Sequence, residues 1–389
     1  MKLNKLFAVV AATGLLISGC GQTVADAIGD SDKKEKVSKT TETTETASED
    51  NTESSTQSSS ENEDEQEGKY DFTVCFAGDI SLADDAVTTA QLDNCDNGIR
   101  GCISQTYISN MQNADITCVN NEFAYSENGS PMDGKAYTFR ANPSRVSVLQ
   151  DLGVDVVSLA NNHVYDYGEQ AFIDTLDTLD GAQISYFGAG RNINDAMAPV
   201  YKEVDGKKIA FVGATRAEKN IMTPEATEDS PGVLRCYDTA LLKQTIQEAK
   251  VNADFVIVYV HWGTEYSTEL EEAQTQTARE YIDSGADVII GAHSHCLQGM
   301  EYYNGKPIIY SMGNFWFNNK TLDTMQVNLE FSGDNETSDL KVKILPGQQK
   351  EAKTYYFADS KDQQRVYDYL ESISIGVIID DEGYIHQQQ

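Results

Sequence analysis

Six short apolar runs recur along the chain, and each exits into polar residues: FTVCFA (72–77), DITCV (115–119), VDVVSLA (154–160), KIAFVGA (208–214), DFVIVYV (254–260) and ADVIIGA (286–292). They are continuously apolar rather than alternating, which requires burial on both faces and so a substantially parallel sheet enclosed by helices. Between them lie stretches predicted to be helical, at 102–113, 143–152, 169–179, 238–250 and 269–284. The last, EEAQTQTAREYIDSG, shows an apolar spacing near 3.6 and stops at a glycine. This alternation predicts an α/β fold.

The turn signals DGK (205–207) and NGK (304–306) add antiparallel hairpins. After Phe315 the pattern changes to alternating strands, MQVNLEF and LKVKIL, and a last helix near 362–372. The expected organisation is an export segment (1–20), a tether (21–69), an α/β domain (70–320) and a C-terminal part (321–389) that completes or extends it.

Lys2 and Lys5 precede an apolar run, 6–17, too short and too early for a stable membrane span. It reads as an export signal. The adjoining Ile17-Ser18-Gly19-Cys20 resembles the lipobox of bacterial lipoproteins, which implies lipidation at Cys20 and an extracytoplasmic protein anchored to the bacterial cell membrane. Residues 21–69 are Ser, Thr, Glu, Asp, Asn and Gln with almost no apolar surface to offset ordering entropy, as expected of a disordered tether. Its root-mean-square reach would be roughly 35 to 40 Å.

The formal net charge is −33, and from Tyr70 onward 48 Asp and Glu face 22 Lys and Arg. An acidic folded part argues against a nucleic-acid partner. A phosphate or carboxylate substrate would need local cationic help, for example from metal ions. Of the cysteines, Cys95 and Cys102 bracket a loop and are candidates to pair, whereas Cys75 and Cys118 sit in apolar runs as small buried hydrophobes.

The polar residues after the strands carry the chemistry, because ligands bind at the carboxyl ends of strands in α/β sheets. They are Gly78-Asp79, Asn121-Glu122, Asn161-Asn162-His163, His261-Trp262-Gly263 and His293-Ser294-His295. Four of the five histidines belong to this set; His386, near the C-terminus, does not. Imidazole and carboxylate together suit Zn, Mn or Fe, and a bridging carboxylate among several imidazoles suits two ions about 3.5 to 4 Å apart.

GDIS, NNEF, SLANNHVYDYG, VHWGTEY, GAHSHCLQG and IIYSMGNFWF, in this order over about 72–317, resemble the CapA family of bacterial poly-gamma-glutamate capsule biosynthesis proteins. That family is similar to the calcineurin-like metallophosphoesterases, which implies a four-layer α/β/β/α sandwich with a dinuclear centre. The resemblance makes Asp79, Glu122, Asn162, His261, His293 and His295 metal ligands, with Glu122 in place of a bridging aspartate. It makes His163 an acid near the leaving-group oxygen. Ser81 departs from the pattern, standing where a histidine ligand would be, so one metal position has fewer nitrogen donors and could be weakly occupied, hold a harder ion such as Mg, or be absent.

Further candidates surround this set. Asp166 could orient the His163 imidazole or cap the adjoining helix. Arg140 could clamp an anion or form a surface ion pair. Trp262, Glu265 and Tyr266 could line a substrate cleft, the aromatics equally being packing residues, and Asn314 is a candidate polar contact on the same rim. The functional expectation is a cell-surface lipoprotein acting in synthesis, export or attachment of poly-gamma-glutamate or a related anionic envelope polymer, with one or two divalent ions and membrane capsule-synthase subunits as partners. The alternatives are a non-catalytic polymer-binding or assembly component and a general secreted metal-dependent phosphatase.

Overall fold

The computed structural model describes residues 68–218 and 222–388. The export segment, Cys20 and all but the last residues of the tether lie outside them.

Two sheets make up the centre. In the first, of eight strands, the order is Lys353–Tyr356, Ser338–Lys350, Leu322–Gly333, Tyr70–Ile80, Ile116–Asn121, Val156–Ser158 and Ser185–Phe187, with Asn314–Trp316 pairing alongside the end of Tyr70–Ile80. In the second, of six, the order is Met300–Tyr303, Lys306–Ile309, Val288–Ala292, Phe255–His261, Lys207–Thr215 and Val200–Val204. All six apolar runs are inner strands, parallel to one another within each sheet. Both turn signals join antiparallel neighbours.

The sheets pack face to face. Phe76 of the first meets Phe211 and Tyr259 of the second at ring separations of 6.3 and 6.4 Å, within one cluster that also buries Ile290, Val327 and Leu329. The outer face of the first sheet is covered by helices Gln105–Asn113, Val146–Leu152 and Gly168–Ala182, through Ile108, Leu149 and Leu176. Helices Ala240–Asn252 and Glu272–Asp283 cover the second sheet through Leu242, Ile246 and Tyr281. Helix, sheet, sheet and helix therefore stack as a four-layer α/β/β/α sandwich.

Local chemistry sets the helix bounds. Glu271 and Gln274 satisfy each other's backbone amides in a capping box, starting the helix at Glu272. The helix predicted over 102–113 begins at Gln105, after a tight turn at Gly98–Gly101. That predicted over 143–152 starts as a short turn, Pro143–Arg145, capped by the Asn142 side chain. The C-terminal part belongs to the first sheet: Leu322–Gly333 runs antiparallel to Tyr70–Ile80 from Tyr70↔Gly333 to Ala77↔Gln326.

Gly291 is required by a close approach. A Cβ there would meet the Tyr310 carbonyl oxygen at 2.0 Å and the Trp262 indole nitrogen at 2.6 Å. Cys95 and Cys102 are free thiols in this structure rather than a disulfide, and burial pushes Cys102 up to about 12.

Candidate metal centre

The carboxyl ends of the parallel strands of both sheets meet on one rim. Asp79 comes from the end of Tyr70–Ile80, Glu122 follows Ile116–Asn121, and Asn162 and His163 follow Val156–Ser158. From the second sheet, His261 ends Phe255–His261, and His293 and His295 follow Val288–Ala292. All seven side chains are buried. His293 and His295 hold left-handed φ angles of 94° and 56°, a conformation that costs about 1–3 kcal/mol per residue and persists where the surroundings fix a ring for a purpose.

Among the described residues, two groups of three have ligand atoms within 4.8 Å of one another: Glu122, His261 and His293, and Asp79, Glu122 and His295. Glu122 is common to both. Nε2 of His261 lies 2.8 Å from Oδ1 of Asn162, 3.0 Å from Nδ1 of His293 and 3.6 Å from Oε1 of Glu122. Nδ1 of His295 lies 2.8 Å from Oδ1 of Asn314 and 3.3 Å from Oδ2 of Asp79.

Asn120, which the sequence pattern does not single out, organises the carboxylates. Its amide nitrogen donates to Oδ1 of Asp79 at 2.8 Å and to Oε2 of Glu122 at 3.1 Å, while its own oxygen accepts from Asn161. One oxygen of each carboxylate is thereby held, and the other, Oδ2 of Asp79 and Oε1 of Glu122, is buried with no hydrogen-bond partner among the described residues. An unsatisfied buried acceptor costs about 1–3 kcal/mol, more if charged. A divalent cation satisfies both orphans, so the donor set fits such an ion.

The electrostatics agree. Burial, with Asp79 alongside, pushes the Glu122 carboxyl well above its usual range. Burial, then the neighbouring imidazoles, holds His261 well below 6.5 and His293 at about 3. Neutral imidazoles with free lone pairs beside a crowded carboxyl pair are suited to binding a cation. Ser81 belongs to neither group; it is buried, and its hydroxyl accepts from the amide of Ala83 at 3.4 Å.

Beside the centre, Nδ1 of His163 lies 2.7 Å from Oδ2 of Asp166, which also accepts from the Phe139 amide at 2.7 Å. Asp166 thus lies against the imidazole, and the next helix, Gly168–Ala182, has Tyr167 at its cap with no side-chain bond. The other Asp166 oxygen takes Nζ of Lys135 at 2.5 Å. Lys135, also missed from sequence, has a side chain only 4% exposed, reaches Glu218 at 3.3 Å and donates to the Asn162 carbonyl. A single lysine in a Gly- and Pro-containing loop offers no spacing by which to find it.

A cleft of about 470 Å³ opens over His163 and His295, lined by Phe139, Glu265, Tyr266, Phe317 and Lys320 among others. Glu265 and Tyr266 therefore line the cleft as the sequence suggests. Trp262 and Arg140 do not. Trp262 is fully buried on the helix side of the second sheet, donating to the Tyr310 carbonyl at 3.0 Å. The Arg140 guanidinium is taken up by the carbonyls of Asn128 and Gly129 and by the Tyr167 ring. Asn314 is buried beneath His295 rather than on the cleft wall. His386 pairs with Asp380 at the surface. A larger cavity, about 630 Å³, lined by Asp323, Arg365 and Tyr369 among others, includes none of the converging residues.

The protein is thus an α/β/β/α sandwich whose two sheets present carboxylate, imidazole and amide donors on a common rim, a donor set that suits divalent cations. The family described as "Bacterial capsule synthesis protein PGA_cap" matches residues 73–319, and the chain belongs to that family. It is 39% identical over 198 residues to the PGA biosynthesis protein CapA of Bacillus subtilis (strain 168), covering 51% of each chain. It is 37% identical over 237 residues to the capsule biosynthesis protein CapA of Bacillus anthracis, covering 59% of this chain and 56% of that one. The match thus spans about half the length of these curated relatives. Among solved structures, the NAD nucleotidase of Haemophilus influenzae aligns at 12% identity and a TM-score of 0.40, over 81% of this chain and 58% of that one; the fold assignment rests on the layers described above.

Proposed function

We propose that this protein is a metal-dependent hydrolase acting on an anionic capsule or envelope polymer of the poly-gamma-glutamate kind, in its synthesis, export or attachment. The observation that carries this reading is Glu122, shared by two ligand groups and presenting a buried oxygen that no hydrogen bond among the described residues satisfies. Two ions are proposed, one held by Glu122, His261, His293 and Asn162, the other by Asp79, Glu122 and His295. Such ions supply Lewis-acid polarisation of a phosphoryl or carbonyl oxygen and lower the pKa of nearby water.

The chain's own residues do the rest. Asp166 accepts the Nδ1 proton of His163 and leaves Nε2 facing Glu122, 3.9 Å away, and the cleft. Once Nε2 takes up a second proton from water, the imidazolium, stabilised by Asp166, can pass that proton to a departing alkoxide or amine. Lys135 neutralises Asp166 and ties its loop to Asn162. Phe139 and Phe317 exclude water from one side of the imidazoles. Export and lipid attachment at Cys20 place this activity on the outer face of the cell membrane, in reach of membrane capsule-synthase subunits; loss of lipid labelling in C20A is the expected check.

The test is the purified full chain, assayed for bound metal and for cleavage of gamma-linked glutamate oligomers and of phosphomonoesters. Cleavage of the oligomers, lost in H163A with metal retained, is expected. Turnover of phosphomonoesters alone would instead favour a general phosphatase. Ser81 motivates a second reading, a non-catalytic polymer-binding component, because it leaves the Asp79 position with a single imidazole; unchanged polymer output from cells carrying H163A would favour it.

A further inference from the structure

The mouth of the cleft carries a cation with no anion to answer it. Lys320 is exposed on the cleft wall, with Nζ 3.5 Å from the centroid of the Tyr266 ring. Among the described residues it makes no ion pair. Several cations elsewhere on this acidic surface are matched: Arg145, Lys250, Lys306 and Arg365 each lie 2.6 to 2.9 Å from a carboxylate oxygen. Lys320 is also the one lysine or arginine among the cleft-lining residues.

Its backbone is built in while its tip is free. Gln349, fully buried on the C-terminal strand Ser338–Lys350, accepts from the amides of Phe317 and Asn318 at 2.8 and 3.1 Å. It donates to Oδ1 of Asn318 at 2.8 Å and to the Lys320 carbonyl at 3.2 Å. Across the cleft, Tyr266 holds a left-handed φ of 58° and donates its amide to the Ser294 carbonyl at 2.7 Å. Its ring thus lies near both Lys320 and the imidazole of His295, whose centroid is 5.5 Å away. The same aromatic ring therefore neighbours the lysine and a proposed ligand of the metal centre. A cation over an exposed ring gains only about 0.5–1 kcal/mol, weak enough to yield to an arriving anion, and carboxylate or phosphate is the natural partner of an ammonium donor.

We infer that Lys320 is the anchor for an anionic group of the substrate next to the bond held at the metal centre, and that Gln349 is its positioning residue. The inference rests on the polymer reading above, under which that group is the carboxylate of the adjacent gamma-linked glutamate. A phosphate could occupy the same point. It also gives the C-terminal strand a part in recognition, through Gln349.

Titration calorimetry on the full, Mn-loaded protein tests this with three probes: a gamma-linked glutamate pentamer, the same pentamer with its side carboxylates amidated, and phenyl phosphate. K320Q should weaken the acidic pentamer roughly 1.5- to fivefold, the range for an exposed charge pair, and leave the amidated one unchanged. K320R should restore binding, and Q349L should weaken the acidic pentamer in the wild-type background but not in K320Q. Equal affinity of wild type and K320Q for the acidic pentamer overturns the inference and leaves the polymer reading standing. If the pentamer does not bind wild type, the polymer reading fails, and phenyl phosphate decides on Lys320. Weaker phosphate binding in K320Q keeps the anchor with phosphate as its ligand; unchanged binding overturns the inference as well.

Discussion

Oε1 of Glu122 stands 3.6 Å from Nε2 of His261, both fully buried, and no hydrogen bond among the described residues satisfies the carboxylate oxygen. A buried carboxyl beside neutral imidazoles and a second carboxylate gains nothing by being there unless a cation joins them. Because Glu122 belongs to both ligand groups and Asp79 and His293 to one each, their losses should differ in kind. E122Q should lower divalent-metal affinity at both positions by tenfold or more, on the order of what ligand-sphere changes cost. D79N and H293Q should each impair one position, as read by metal content after equilibrium dialysis.

Lys135 and Asp166 are nearly inaccessible to water, with side chains 4% and 0% exposed. Removing one partner of a buried pair strands the other charge, at a cost of about 3–5 kcal/mol. K135M should therefore destabilise the protein by about that much in urea unfolding, and K135M/D166N by clearly less than the sum of the single changes. D166N alone should lower any turnover by about a hundredfold or more, by releasing the proton that fixes the His163 ring.

Metal-free protein should lose stability on acidification. His293 titrates at about 3 when folded against 6.5 ordinarily, and His261 also lies well below 6.5. With the folded pKa depressed, the unfolded chain takes up protons first, so this stability is present above about pH 6.5 and is lost as pH falls toward 3. Glu122 acts oppositely: its raised pKa favours the folded state at low pH, a contribution lost as pH rises through its folded value. The unfolding midpoint of H293N should accordingly fall less steeply than that of wild type between pH 6.5 and 4.5; parallel profiles would show that His293 does not carry the dependence.

Trp262 separates packing from recognition. Its indole donates to the Tyr310 carbonyl within the helix-side core, so W262F should cost about 1–3 kcal/mol of stability for the acceptor it strands and leave ligand affinity unchanged. Weakened binding of the glutamate oligomer at unchanged stability would return Trp262 to the cleft.

The rim was legible in the sequence because the sheets were. Each apolar run had to be an inner strand, and inner parallel strands deliver the residues at their carboxyl ends, such as Asp79, His261 and His293, to one edge. Trp262 misled because successive residues of an extended chain face opposite sides, so the neighbour of a rim histidine points into the core. Asn120, Lys135 and Lys320 carry no such pattern. Asn120 acts from the end of an apolar strand, and the two lysines act from loops whose path is set by distant partners, Asp166 for one and Gln349 for the other. Arg140 shows the converse: a guanidinium that looked available is occupied by local carbonyls no spacing reveals.

The most direct test of the shared-carboxylate centre is electron paramagnetic resonance of the full protein titrated with Mn(II). The account predicts two bound ions per chain with an exchange-coupled signal that E122Q abolishes. Failure to bind Mn(II), or an isolated six-line spectrum unaffected by E122Q, would contradict it.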